Sequence, residues 1–151
     1  MDGFAEVRRE LRSDVERWLV ELRDDELRAS IKVGNATRAS NKVEWMLRRL
    51  VETFAERGDR RSRSIFAERS KGKPVDKLTM GECVKLLEEM NATQPPEGRF
   101  SKKELLTLNA LPSGRKNIVH HDETDAAAIR SFLERCLWFC DLSQVREVAG
   151  E

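Results

Sequence analysis

Tyrosine is absent from this chain, and among 151 residues there are only four prolines, eight glycines and two histidines. So few breakers leave long stretches free to stay helical, and β-branched residues never cluster into the alternating pattern a strand needs. Three cysteines, Cys83, Cys136 and Cys140, form no C-x-x-C pair. That argues against a thiol metal cage and against a disulfide framework, and it predicts buried thiols in a reducing compartment. No uncharged apolar run approaches the length of a bilayer, and no charged-then-apolar leader opens the chain. The expectation is a cytoplasmic protein with no membrane contact.

What is abundant is charge. Charged residues are 36% of the chain and apolar residues 39%, with a net charge of +1. The charge is unevenly placed. From Arg57 to Lys77 eight Lys/Arg stand against three Asp/Glu, whereas from Asp122 onward seven acidic residues face three arginines. A local basic stretch can attract phosphate even when the whole molecule is near neutral, although a solvated loop has the same composition.

Apolar spacing predicts an all-α protein. Phe4, Val7, Leu11, Val15, Trp18 and Leu22 form a narrow helical seam. A short continuation passes Leu27 and Ile31 before "VGNA" at Val33–Ala36, a predicted break. Asn41 with Glu44 reads as a capped start for a helix carrying Val43, Met46, Leu47, Leu50, Val51 and Phe54. Residues 57–77 read as a basic loop with one turn at Ile65–Phe66. Capping boxes at Thr79/Glu82 and Ser101/Glu104 open two further helices, the second expected to end near Pro112. Ile129, Phe132, Leu133, Cys136, Leu137 and Cys140 give the clearest stripe. Trp18, Trp45 and Trp138 lie on or beside such stripes, which favours core packing over base stacking. The expected architecture is a single domain, residues 1–151. It comprises an antiparallel four- to five-helix bundle core over 41–142, an extra N-terminal helix in a 1–33 extension, and the 57–77 loop.

Chemistry concentrates in "PSGRKNIVHHDE", Pro112–Glu123, which holds both histidines. Arg115 and His120 stand as R-x4-H, with Lys116 and Asn117 between them and His121 after. An imidazole titrates near neutrality and can take or give a proton, while a guanidinium stays cationic and matches phosphate oxygens. Those types suit cleavage of RNA by its own 2′-hydroxyl without a metal. On a regular helix, residues five apart diverge by about 140° and rise by about 7.5 Å, so one Arg115 and one His120 do not converge on one phosphate. Two copies across a two-fold axis would supply both acid and base. Lys116 shares a helix face with His120, as Asn117 does with His121. Two plainer readings are a pair of cationic caps on a helix C-terminus and a zinc site through "HHDE". The second is disfavoured because adjacent helical residues diverge by about 100° and no third histidine exists. No metal and no cofactor are expected.

Taken with "LTMGECVKLLEEM", "ELLTLNAL" and the closing amphipathic helix, "RKNIVHHDE" resembles the HEPN superfamily of small helical-bundle ribonucleases, over about Asn41 to Leu142. The resemblance departs in two places: Lys116 stands where the family usually has Asn, and "LPSG" at Leu111–Gly114 interrupts what is often continuous helix. It implies Arg115 and His120 as catalytic residues assisted by Asn117 and His121, a homodimer with facing motifs, and a toxin or effector role in bacterial defence, with a possible antitoxin partner. RNA would be drawn by Lys116, Arg60, Arg61, Arg63, Lys71 and Lys73. Two other readings stay open: a catalytically silent protein–protein association module, and a nucleotide-binding domain of the same fold.

Overall fold

The computed structural model describes residues 3–23, 29–119 and 126–151. These form seven α-helices and no strand: α1 (Phe4–Glu21), α2 (Ala29–Arg57), α3 (Arg60–Arg69), α4 (Met80–Met90), α5 (Lys102–Val119), α6 (Ala126–Asp141) and α7 (Ser143–Val148). The helical bundle expected from the apolar stripes is therefore present.

α1 and α2, α4 and α5, and α5 and α6 run antiparallel. Lys42 of α2 reaches Glu10 and Asp14 of α1 at 3.4 and 3.3 Å, while Trp45 lies 6.1 Å from Phe4. Asn91 after α4 holds the Phe100 backbone before α5, and at the other end Gly81 sits beside Pro112. The Gln144 side chain donates to the Arg99 carbonyl at 2.8 Å, and Gly114 packs on Phe132, which sets α6 against α5. α2 touches every other helix. Its inward residues, from Ala36 and Ala39 to Phe54, share one core with Leu11, Val15, Leu87, Leu108, Phe132 and Phe139. Trp18 is buried there and Trp45 and Trp138 pack against it, as their stripe positions imply. Both capping boxes form: Thr79 with Glu82, and Ser101 with Glu104.

Three local expectations fail, each for a tertiary reason. The predicted break at Val33–Ala36 and the capped start at Asn41 do not exist, because α2 is one helix from Ala29 to Arg57. Ala36 and Ala39 are fully buried, and their small side chains let neighbouring helices close on α2. Thr37 bonds back to the Val33 carbonyl at 2.9 Å. This packing offsets the roughly 1 kcal/mol that Gly34 costs in a helix interior. The basic stretch is not a loop. Asp59 caps α3 by accepting from the Arg61 amide at 2.8 Å, and buried Ser62 donates to the Ala55 and Asp59 carbonyls. Ile65 and Phe66 rest against the core. Finally, α5 does not end near Pro112 but continues to Val119. A proline there forgoes one helical hydrogen bond. Leu108, Leu111 and Ile118 are buried on either side of it, and a Cβ on Gly114 would come within 3.1 Å of the Phe132 ring. The "LPSG" segment is thus a close-packing surface rather than an interruption.

One charged residue lies on the α1 seam. Arg8 is 7% exposed. Its Nε donates to the Cys140 carbonyl at 2.7 Å, and its other nitrogens meet Asp141 at 3.7 Å and pair with Glu151. A cation there satisfies a last-turn carbonyl of α6 and complements that helix end. Arg8→Ala should lower the unfolding free energy by about 2–3 kcal/mol, read from urea midpoints, because the carbonyl loses its only charged donor.

Burial also sets the thiols. It pushes Cys83 and Cys140 up to about 12 and raises Cys136 as well. Native protein at pH 8 should therefore leave all three thiols unmodified by a disulfide reagent, with three equivalents reacting once denaturant is added.

Candidate functional site

Of the motif residues, Arg115, Lys116 and the backbone of Asn117 are described. His120, His121 and the Asn117 side chain lie outside the described residues. Arg115 stands in the last two turns of α5, directly ahead of the histidines in the chain. Lys116 is exposed beside it.

Arg115 is held by a carboxylate. Glu44, with a side chain only 15% exposed, pairs with Arg115 Nη1. The same carboxylate accepts from Arg48 Nη2 at 2.7 Å and from the Met80 amide at 3.2 Å, and Arg48 Nε donates to the Leu78 carbonyl at 2.9 Å. Met80 is the first residue of α4, so Glu44 also places an anion at a helix N-terminus, where the dipole favours it. Three donors from α2, α4 and α5 thus converge on one carboxylate, enough to offset much of the cost of taking it out of water. Most of this role is invisible locally: Glu44 reads in the sequence as a cap, and although Arg48 is four residues on, its other two partners are 36 and 71 residues away.

Only Nη1 of Arg115 has a partner among the described residues, and the side chain stays 34% exposed. Arg115 is one of the residues that line a cavity of about 190 Å³ between α2, α5 and α6. Ala36, Thr37 and Ser40 line it from α2, Arg115 and Ile118 from α5, and Phe132 from α6. Arg115 is thus held by Glu44 through one nitrogen, and its other N–H groups have no acceptor among the described residues.

The other cations proposed for RNA are not gathered at Arg115. Arg60, Arg61 and Arg63 are exposed at the start of α3, beside the C-terminal end of α2. Glu44 and Arg57 are thirteen residues apart on α2, which is about 20 Å of helix. Arg61 is bound to Asp59 at 2.9 Å, which lowers the Asp59 carboxyl, chiefly through that side-chain hydrogen bond. Lys73 is nearer to the site, over the first turn of α4, but is paired with Glu82 at 2.9 Å and lowers its carboxyl. Arg60, Arg63 and Lys71 are without an ion pair among the described residues.

Comparison with protein-family models, with curated proteins and with solved structures finds no match for this chain.

The Glu44 cluster should be a large stability term. Glu44→Ala leaves Arg48, the Met80 amide and the inner face of Arg115 without their acceptor and should cost about 2–4 kcal/mol in urea unfolding. Glu44→Gln retains one acceptor oxygen and should cost clearly less.

Proposed function

We propose that this chain is a metal-independent endoribonuclease of the HEPN type. The observation that carries the reading is Arg115. It stands in the final turns of α5, five residues before the first of the two histidines, anchored through one nitrogen to Glu44, with no other partner among the described residues and 34% of its side chain exposed. Unbroken helix through Pro112–Gly114 adds support, since it removes one of the two departures from the family pattern.

In this mechanism Arg115 binds the scissile phosphate and stabilises the charge that grows on its oxygens in the transition state. One imidazole takes the 2′-hydroxyl proton as that oxygen attacks phosphorus. The bond to the 5′-oxygen breaks, and a second imidazole protonates the leaving oxygen. The products are a 2′,3′-cyclic phosphate and a 5′-hydroxyl. His120 is the principal acid/base, with Asn117 and His121 orienting it or the phosphate. A homodimer with facing motifs supplies the second imidazole. Lys116 adds local positive charge, while Arg60, Arg61, Arg63, Lys71 and Lys73 engage more distant phosphates. A toxin or effector role in bacterial defence, opposed by an antitoxin, fits such an activity.

A second reading is a silent association module, and the Glu44–Arg115 pair favours it, because that pair gives Arg115 a folding role independent of catalysis. The same pair shapes the test. Arg115→Lys keeps a cation for Glu44 but loses the planar fork that matches phosphate. Incubated with mixed RNA in EDTA, the wild type should yield 2′,3′-cyclic ends. His120→Ala and Arg115→Lys should lose at least about a hundredfold in rate with unfolding midpoints within about 1 kcal/mol of wild type. Absence of cleavage by the wild type, or full activity in either variant, would reject the ribonuclease and leave the association module.

A further inference from the structure

The seam between α1 and α6 carries opposite charges at one end and like charges at the other. On α1, Arg12, Glu16, Leu19 and Arg23 recur at spacings of three and four, so they share one side of the helix. On α6, Asp141, Leu137, Glu134 and Arg130 repeat the same spacings in reverse. Arg12 meets both oxygens of Asp141, at 3.0 and 3.5 Å, and Leu19 shares a groove with Glu134, so the two helices run antiparallel with these stripes facing. Arg23 and Arg130 each stand eleven residues from the Arg12–Asp141 pair, about three turns and about 16 Å of helix. Equal offsets on antiparallel helices place the two arginines opposite one another. Leu19, Arg23, Arg130 and Glu134 line one open groove of about 430 Å³. The Arg23 amide donates to the Val20 carbonyl at 3.1 Å, which holds its backbone against the end of α1.

Both arginines are exposed, and neither side chain has a partner among the described residues. Glu134, one turn from Arg130 on the same stripe, is exposed and pairs with neither among them. Two guanidiniums facing across a groove repel, and an anion between them turns that repulsion into two charge-assisted contacts. A phosphodiester suits the place, with one free oxygen for each planar fork. The groove also stands beside the motif. Gly114 packs on Phe132. Arg115 is the next residue after Gly114, and Arg130 lies two before Phe132, so both are within about 3 Å of that contact along their helices. Arg115 is on the α5 flank of α6 and the groove on its α1 flank. The chain that joins α5 to α6 carries both histidines. A strand crossing this end of the bundle can therefore rest one phosphate on Arg115 and another in the groove.

We propose that the groove between Arg23 and Arg130 binds a backbone phosphate of an RNA strand, near the one held by Arg115. The choice of RNA rests on the ribonuclease reading, but binding is measured apart from cleavage. The probe is a fluorescent 2′-O-methyl RNA of about eight nucleotides, which lacks the attacking hydroxyl. Its anisotropy is followed at low salt with the full chain, with Arg23→Gln, with Arg130→Gln and with the double variant. Each single variant should bind about tenfold more weakly, the value of one charge-assisted contact. The double variant should lose little more, because both arginines grip one anion. Urea midpoints of all three should match or exceed that of the wild type, since a repulsion has been removed. Wild-type affinity in the single variants overturns the groove, as does a weakened affinity that comes with a lowered urea midpoint. A glutamate octapeptide that displaces the probe as well as unlabelled RNA does overturns the phosphate assignment and makes the groove a dock for an acidic protein segment. Cleavage of the unmodified RNA, with binding indifferent to both arginines, sinks the groove and spares the nuclease. Arginine-dependent binding without cleavage sinks the nuclease and keeps the groove as a strand-binding site.

Discussion

A single carboxylate fixes the geometry on which the candidate site depends. Glu44 projects from the middle of α2, and only by gathering Arg48, Arg115 and the Met80 amide does it become tolerable in a largely dry position. In doing so it ties the start of α4 and the end of α5 to the central helix. The direction of Arg115 is therefore set by the fold and not by a ligand. An arginine that must grip phosphate gains from such preorganisation, because less side-chain freedom is lost when the anion arrives. The arrangement also has a cost. Glu44 competes with any anion for the same guanidinium, so on the ribonuclease reading the phosphate has to use the nitrogens that Glu44 leaves.

The cavity beside Arg115 is a consequence of the same central helix. At Ala36, Ala39 and Ser40, α2 presents small side chains toward its neighbours. At Gly114, α5 presents none, and Phe132 fills that approach. Close contact on one side and short side chains on the other leave a slot open between α2, α5 and α6. Packing and site overlap here: Ala36 and Thr37, on the unbroken stretch of α2, also line the recess beside Arg115.

How much of this was legible in the sequence follows from the range of each interaction. The stripes of α1, α4 and α6 and both capping boxes depend on residues three or four apart, and they were readable. Gly34, Asn35 and Pro112 were misread because their local preference is outweighed by burial against elements distant in the chain. α3 escaped notice because ten residues with only Ile65 and Phe66 facing the core show no second turn of the period. Glu44 was unreachable, since nothing nearby announces partners on α4 and α5. Two residues did leave a signal. Arg8 falls between Phe4 and Leu11 on an apolar seam, and Ser40 falls between Ala36 and Val43 on another. A charged or polar residue at a stripe position has to be satisfied by something specific, and that is a sequence-level reason to single it out.

The placement of charge bears on how RNA would engage. The cations at the start of α3 are about 20 Å from the Glu44 level along α2, roughly two and a half Debye lengths at physiological salt. They cannot raise the local phosphate concentration at Arg115 by field alone, and Arg61 is in part neutralised by Asp59. On the ribonuclease reading, then, positive potential at the scissile phosphate comes from Arg115, Arg48 and Lys116 set against Glu44. Arg60 and Arg63 act only on a strand long enough to reach both places. A mononucleotide and a long RNA would accordingly see different proteins. The first meets Arg115 and exposed Lys116 alone, and the second adds a salt-sensitive grip on the far end of the bundle. That division separates recognition at the cleaved linkage, governed by packing and hydrogen bonds, from recruitment, governed by screened charge.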